Sequence, residues 1–92
     1  MIYEWDPGKA KQNQLKHSFS FEEAATVFLD PFDITYSDPD HTEEEEREIT
    51  IGHSGRHRVI IVSHSQRGDR IRIISARRAT RKERKQYEEA KY

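Results

Sequence analysis

Cysteine is absent from all 92 residues, so neither a disulfide framework nor thiolate chemistry is open to this chain. Long apolar runs are missing too. None approaches the length needed to cross a bilayer, so no membrane association is expected. Trp5, Asp6, Lys9 and Lys11 interrupt the N-terminus where a secretory leader would be apolar. G-x-G-x-x-G, the P-loop motif, G-x-S-x-G and H-E-x-x-H are all lacking, and with them the dinucleotide cradle, the nucleotide-phosphate loop, the serine-hydrolase elbow and the zincin metal site. No cofactor and no metal is therefore expected. Neither an internal repeat nor a low-complexity linker interrupts the sequence. Apolar residues make up only 33% of it, enough for one thin core if a sheet packs against helices. The length is below that at which chains split, so one domain over residues 1–92 is expected, in a soluble cytoplasmic protein.

What is abundant is charge, unevenly placed. The formal net charge is −1. From Met1 to Gly55 there are 4 basic and 13 acidic residues, a net of −9. From Arg56 to Tyr92 there are 12 basic and 4 acidic, a net of +8. Such asymmetry suggests nucleic-acid binding or a charged partner; two solvated faces that attract each other is the plainer alternative. The basic half is mostly arginine, which suits bidentate phosphate contacts better than lysine does.

Local patterning gives the element order β-α-α-β-β-β-β-α. Met1 to Tyr3 reads as a short edge strand. Asp6-Pro7 is a helix start, Asp as N-cap and Pro at the first helical position, for a helix reaching His17. Its apolar face is poor, Ala10 and Leu15 only, with Trp5 as the anchor. Lys9, Asn13 and Lys16 share one side of it, either a solvated face or a phosphate- or partner-facing row. Ser20 and Glu23 have capping-box spacing for a second helix, whose face Phe21, Ala24, Ala25 and Phe28 belongs to the core; Asp30-Pro31 stops it. Phe32 to Tyr36 is a candidate strand, followed by a turn at Asp38-Pro39-Asp40 and the acidic run Glu43 to Glu46, read as a solvated loop or short helix. Arg47 to His53 alternates, Ile49 and Ile51 in, Glu48 and Thr50 out. Ser54-Gly55 turns the chain, and the run Val59 to Val62 in the strand Arg58 to His64 suggests cover on both faces and a central position. Gln66 to Asp69 turns again. Ile71, Ile73 and Ile74 then form a last strand, Ser75 to Ala79 lead the chain off the sheet, and Thr80 with Glu83 caps a final helix. The three strands between Arg47 and Ala76 make an antiparallel meander. The fold class is α+β: a small antiparallel sheet, two N-terminal helices on one face and a C-terminal helix.

Chemistry candidates are few. His53 and His57 straddle a turn, but two histidines are a weak zinc signal. His64 ends an apolar strand near Arg67 and has the reference pKa, near 6.5, for proton transfer; a lone histidine more often packs or hydrogen-bonds. Arg67 and Arg77 end neighbouring antiparallel strands, so their proximity is not set by sequence. A non-catalytic module that binds nucleic acid or protein through the basic half is the competing class.

The blocks Glu4-Trp5-Asp6-Pro7, Lys9, Asn13, Lys16-His17, Ser20-Phe21-Glu22-Glu23-Ala24, Phe28 and Asp30-Pro31, then Asp38, His41, Glu45, Arg47 and Ile51-Gly52, then Arg70-Ile71-Arg72-Ile73-Ile74-Ser75-Ala76-Arg77, Ala79, Glu83-Arg84 and Tyr87 resemble the BrnT family of bacterial type II toxins. The resemblance spans nearly the whole chain, and Ile-Ser-Ala-Arg is its most specific part. It implies a RelE-like fold, a ribonuclease that cleaves RNA and arrests translation and growth, and neutralisation by a ribbon-helix-helix antitoxin. It implies catalytic roles for Arg77 and Arg67, expected to line one exposed cleft. Metal-free cleavage by the neighbouring 2′-hydroxyl needs fixed cations for the developing charge. Arginine cannot be the base, so His64, His17 or a carboxylate must serve. RNA would be held by Arg70, Arg72, Arg78, Lys16 and His17. The final helix, with little beyond Tyr87 to bury, is marginal alone, which makes Arg81, Lys82, Arg84 and Tyr87 the expected antitoxin surface.

Overall fold

The computed structural model describes residues 2–38 and 46–90. Its elements are β1 (Ile2–Glu4), α1 (Pro7–His17), α2 (Phe21–Thr26) continued by a 3₁₀ turn (Val27–Leu29), β2 (Ile34–Ser37), β3 (Glu48–His53), β4 (Val59–Arg67), β5 (Arg70–Arg78) and α3 (Arg81–Ala90). Most of the acidic run Glu43 to Glu46, the expected Asp38-Pro39-Asp40 turn beyond Asp38, and residues 91–92 lie outside the described residues.

The helix ends follow local chemistry. The Asp6 carboxylate accepts the Gly8 N–H at 3.4 Å, Pro7 opens α1, and Ser18, at φ 62°, closes it by donating its N–H to the Gln14 carbonyl at 3.0 Å. At α3 the capping box is reciprocal: Thr80 N–H to Glu83 Oε1 at 2.9 Å, Glu83 N–H to Thr80 Oγ1 at 3.2 Å. At α2 only half of it forms. Ser20 Oγ accepts the Glu23 N–H at 3.1 Å, but the Glu23 carboxylate turns away to accept Ser54 Oγ–H at 2.6 Å and Arg58 Nε–H at 2.9 Å. A buried carboxylate needs a cation more than a spare backbone donor. Arg58 completes the contact by lying over the Phe19 ring, 4.2 Å from its centroid.

The sheet order is β1-β5-β4-β3-β2. All neighbours from β2 to β5 are antiparallel, but β1 pairs parallel to β5, Tyr3 opposite Ile71, so the sheet is mixed rather than antiparallel throughout. A three-residue edge strand separated from its partner by most of the chain carries no local signal of direction. β4 is central and covered on both sides. Ile60 and Val62 join Ile71, Ile73 and Ala76 against Phe19, Phe21, Ala24 and Val27. Val59 and Ile61 join Ile51 against Tyr87 of α3 on the opposite face. Phe28 packs at the margin of the first cluster.

Two expectations along the strands are corrected. Thr50 does not face solvent; it is fully buried, because it lies opposite Val62 on the face of the first cluster, and its hydroxyl bonds to Thr35 Oγ1 and His64 Nε2, both at 2.7 Å. Ser75 to Arg78 do not leave the sheet; β5 continues to Arg78. Two features keep it extended. Ser63 pairs with Ser75 and His64 with Ile73, leaving Ile74 as the extra residue of a bulge. On the outer side, beyond the last β1 pair at Arg72, Asn13 of α1 stands in for a strand. Its Oδ1 accepts the Ala76 N–H at 3.0 Å, while its Nδ2 donates to the Ala76 and Phe19 carbonyls, each at 2.9 Å.

Candidate functional site

The bulge decides which side chains meet. Strict alternation would put Arg77 on the face of Ile71 and Ile73. With Ile74 inserted, Arg70, Arg72, Ser75 and Arg77 all fall on the face that carries α3. α3 covers only one end of that face, over Ile34, Ile51, Val59 and Ile61. The other end, with Ser63, Ser65 and Arg67 on β4 and Arg70, Arg72 and Ser75 on β5, has no described helix over it, and Arg77, opposite Ile61, lies at the boundary beside the first turn of α3. Arg67 and Arg70 are exposed; Arg72, Ser75 and Arg77 are half-buried. Arg70 also lies 3.6 Å from the Glu4 carboxylate of β1.

Arg77 is the fixed cation of this surface. Glu83, in the first turn of α3, accepts its Nη1–H at 2.8 Å and its Nη2–H at 3.0 Å, and the Arg78 carbonyl accepts Nη1–H at 3.2 Å. The Arg77 guanidinium, helped by the Thr80 bonds and opposed by burial, brings the Glu83 carboxyl down to about 2. The Arg77 side chain is 42% exposed, so it is oriented yet reachable. Beside it a cavity of about 210 Å³ is lined by Ile34, Tyr36, Ile51, Glu83, Gln86 and Tyr87. Burial, reinforced by Glu83 and opposed by Arg77, raises the Tyr36 hydroxyl above its ordinary value. Tyr36 was not singled out by sequence; only its place opposite Ile49 brings this exposed ring to the arginine face.

Arg67 and Arg77 are not brought together. Arg67 pairs with Arg70 at the hairpin tip and Arg77 with Ile61 near the far end of β4, on the order of 20 Å apart along the strands. One phosphate cannot touch both. His64 is on the opposite face, 3% exposed, with its ring edge-on to Phe28 at a centroid distance of 4.8 Å and Nε2 bonded to Thr50. Burial lowers it to about 4, and its Nδ1 meets no hydrogen-bond partner among the described residues. It packs; it does not face RNA on the arginine side. Arg78, opposite Ile60, also belongs to the other face, apart from Arg70 and Arg72.

Tyr87 is fully buried. Its hydroxyl donates to the Asp30 carboxylate and shares a 2.8 Å bond with His53 Nδ1. It docks α3 on the chain's own sheet, because an otherwise polar helix has no other large side chain to bury, and it presents nothing to a partner. Arg81, Lys82 and Arg84 are exposed on α3, Arg84 with Glu88 at 3.0 Å. The His53 ring serves Tyr87, while His57 is exposed on the turn at φ 61°.

Lys16 and His17 border a cleft of about 190 Å³ between α1 and the outer edge of β5, lined by Lys9, Gln12, Asn13, Lys16, His17, Ile74 and Ser75. The row Lys9, Asn13, Lys16 therefore is not one solvated side: Asn13 turns in to bond Ala76 and the two lysines flank it.

The family model described as the ribonuclease toxin, BrnT, of type II toxin–antitoxin systems matches residues 5–83. Among solved structures, the crystal structure of the Brucella abortus ribonuclease toxin BrnT is similar at a TM-score of 0.64 and 21% identity, over 88% of this chain and all of that one. At that identity the likeness is one of fold. No curated protein matches.

Proposed function

The chain belongs to the BrnT ribonuclease toxins of type II toxin–antitoxin systems, and on that premise we propose that it cleaves RNA without a metal ion on the half of its sheet that α3 leaves uncovered, arresting translation and growth in the bacterial cytoplasm. The observation that carries this reading is the set Arg67, Arg70, Arg72 and Arg77 on one face of the sheet, which α3 covers only at the Arg77 end.

The ribose 2′-hydroxyl attacks the adjacent phosphorus, and negative charge builds on the phosphoryl oxygens. Arg77, already aimed by Glu83, meets that charge without reorganising. Arg72, Arg70 and Arg67 hold the backbone leading away from it; at its distance Arg67 contributes binding rather than a second contact to the same phosphate. Tyr36 offers a ring for stacking a base beside Arg77.

The test is digestion of RNA by purified protein with a chelator present. Arg77→Ala, its fold checked by circular dichroism, should cut slower by on the order of 10²-fold and no longer arrest growth. Full cleavage by that variant refutes the assignment.

The antitoxin of this reading is a ribbon-helix-helix protein whose acidic or amphipathic segment covers α3 and the arginine face. Arg81, Lys82 and Arg84 meet it; Tyr87, being buried, does not. Reversing those three charges should weaken the complex by at least about tenfold and slow its association at low salt. Undiminished binding in a pull-down with the neighbouring gene product removes this surface from consideration.

A further inference from the structure

On the arginine face the described carboxylates, Glu4 and Glu83, are each paired with an arginine, and a cross-strand row leads from this face toward an imidazole. Tyr36 lies opposite Ile49, Ile49 opposite Ser63, and Ser63 opposite Ser75. This row crosses from the edge β2 to β5 and ends at Ser75, which with Ile74 forms one wall of the α1 cleft. The other wall is Lys9, Gln12, Asn13, Lys16 and His17, so the lining carries two ammonium groups, an imidazole and no carboxylate. The bulge at Ile74 and the Asn13 bonds to Ala76 hold the two walls in register.

Among the described histidines, His17 is the one that lines this cleft. His64 is sealed on the other face, His53 is bonded to Tyr87 beneath α3, and His57 is on the β3–β4 turn, outside the lining of this cleft. Glu83 is bound in both its oxygens to Arg77. An imidazole is the side chain that most readily exchanges a proton near neutral pH.

We infer that the cleft between α1 and the β5 edge seats the RNA backbone beside Ser75, two residues along β5 from Arg77, with Lys9 and Lys16 against the phosphates that flank the scissile one and His17 as the base. The inference rests on the ribonuclease reading and supplies the group that reading lacks. In the step, the 2′-oxygen–phosphorus bond forms, the phosphorus–5′-oxygen bond breaks, and the 2′-hydroxyl proton passes to the His17 ring. The departing 5′-oxygen takes a proton from water. The products are a 2′,3′-cyclic phosphate and a 5′-hydroxyl, and the imidazolium returns its proton to solvent.

Binding is measured with an uncleavable 2′-O-methyl RNA oligonucleotide and turnover with its 2′-hydroxyl counterpart. The double variant Lys9→Ala, Lys16→Ala, both positions exposed, should bind the uncleavable strand less tightly and flatten the slope of log Kd against log salt by roughly 0.7 for each phosphate no longer neutralised. His17→Gln should leave that binding within about twofold while slowing single-turnover cleavage roughly 10²- to 10⁴-fold. Binding and salt slope unchanged in the double variant overturn the subsite. Wild-type cleavage by His17→Gln overturns its role as base, and an equal loss of binding and rate makes it a contact only. If the unaltered protein leaves the 2′-hydroxyl strand intact yet binds the uncleavable strand through Lys9 and Lys16, the subsite stands and the ribonuclease reading falls with the proton step.

Discussion

His64 and Glu83 are the two side chains whose protonation the fold alters most legibly, and they do so in separate pH windows. For His64, burial lowers the folded value to about 4 against an unfolded value near 6.5. Between these the unfolded chain holds the extra proton, so stability rises with pH through the window and is lost on acidification from about 6.5 to 4, by on the order of 3 kcal/mol. Urea titrations at pH 7 and pH 4.5 should show the drop, and His64→Phe should largely abolish it. An unchanged pH slope in that variant would place the titration elsewhere. Glu83, held down to about 2 by Arg77, contributes stability that is complete above its ordinary carboxylate value and lost only as pH falls toward 2. The pair is partly exposed and solvent-screened, so its effect on stability is small; its consequence is the orientation of Arg77.

Two elements depend on single polar side chains. β5 beyond Arg72 has no strand on its outer side among the described residues, and Asn13 completes both backbone groups of Ala76. Asn13→Ala leaves a buried N–H and C=O without partners and should cost roughly 2–4 kcal/mol, read as a lower urea midpoint with unchanged m. α3 is held by Tyr87, whose hydroxyl reaches Asp30 while the Asp30 carboxylate also takes the His53 N–H at 2.8 Å. The strand beside this knot must come close: a Cβ on Gly52 would stand 3.0 Å from both Asp30 Oδ2 and Val27 Cγ1. Tyr87→Phe removes one partner of a partly buried carboxylate, at about 1–3 kcal/mol. Hydrogen exchange should then quicken in α3 while β4 stays protected. If β4 loses protection equally, α3 is no separate unit of opening.

Across the whole molecule, the basic C-terminal half of the sequence becomes a surface because β4 and β5 form one long hairpin, turned at Gly68 with φ 61°. Arg67 and Arg70 sit opposite each other at its tip, about the length of the hairpin from Arg77. Their contribution is to hold phosphates, which position without reading sequence. Arg67→Glu with Arg70→Glu should therefore weaken RNA binding about tenfold or more at low salt, uniformly across oligonucleotides, and leave the preferred cleavage position unchanged. A shifted cleavage pattern in gel mapping would assign these arginines to base recognition instead.

What the sequence by itself determined is local. Asp6-Pro7, Ser20 and Thr80 with Glu83 start the helices that form, because a cap joins residues two or three apart. The unbroken apolar run of β4 required cover on both faces, hence its central place. The BrnT resemblance, too, was carried by residues in order along the chain. Everything that needed two distant segments was decided by the tertiary structure. The direction of β1, the inward turn of Asn13 and of Thr50, and the diversion of Glu23 from its cap to Arg58 each depend on a partner far along the chain. The bulge at Ile74 shows the reason most plainly. One residue inserted against β4 reverses the alternation after it, moving Arg77 onto the face of Arg70 and Arg72, and no period read along β5 alone contains that step. The same geometry set Arg67 and Arg77 at opposite ends, sealed His64 away, and brought Lys9, Lys16 and His17 beside Ser75.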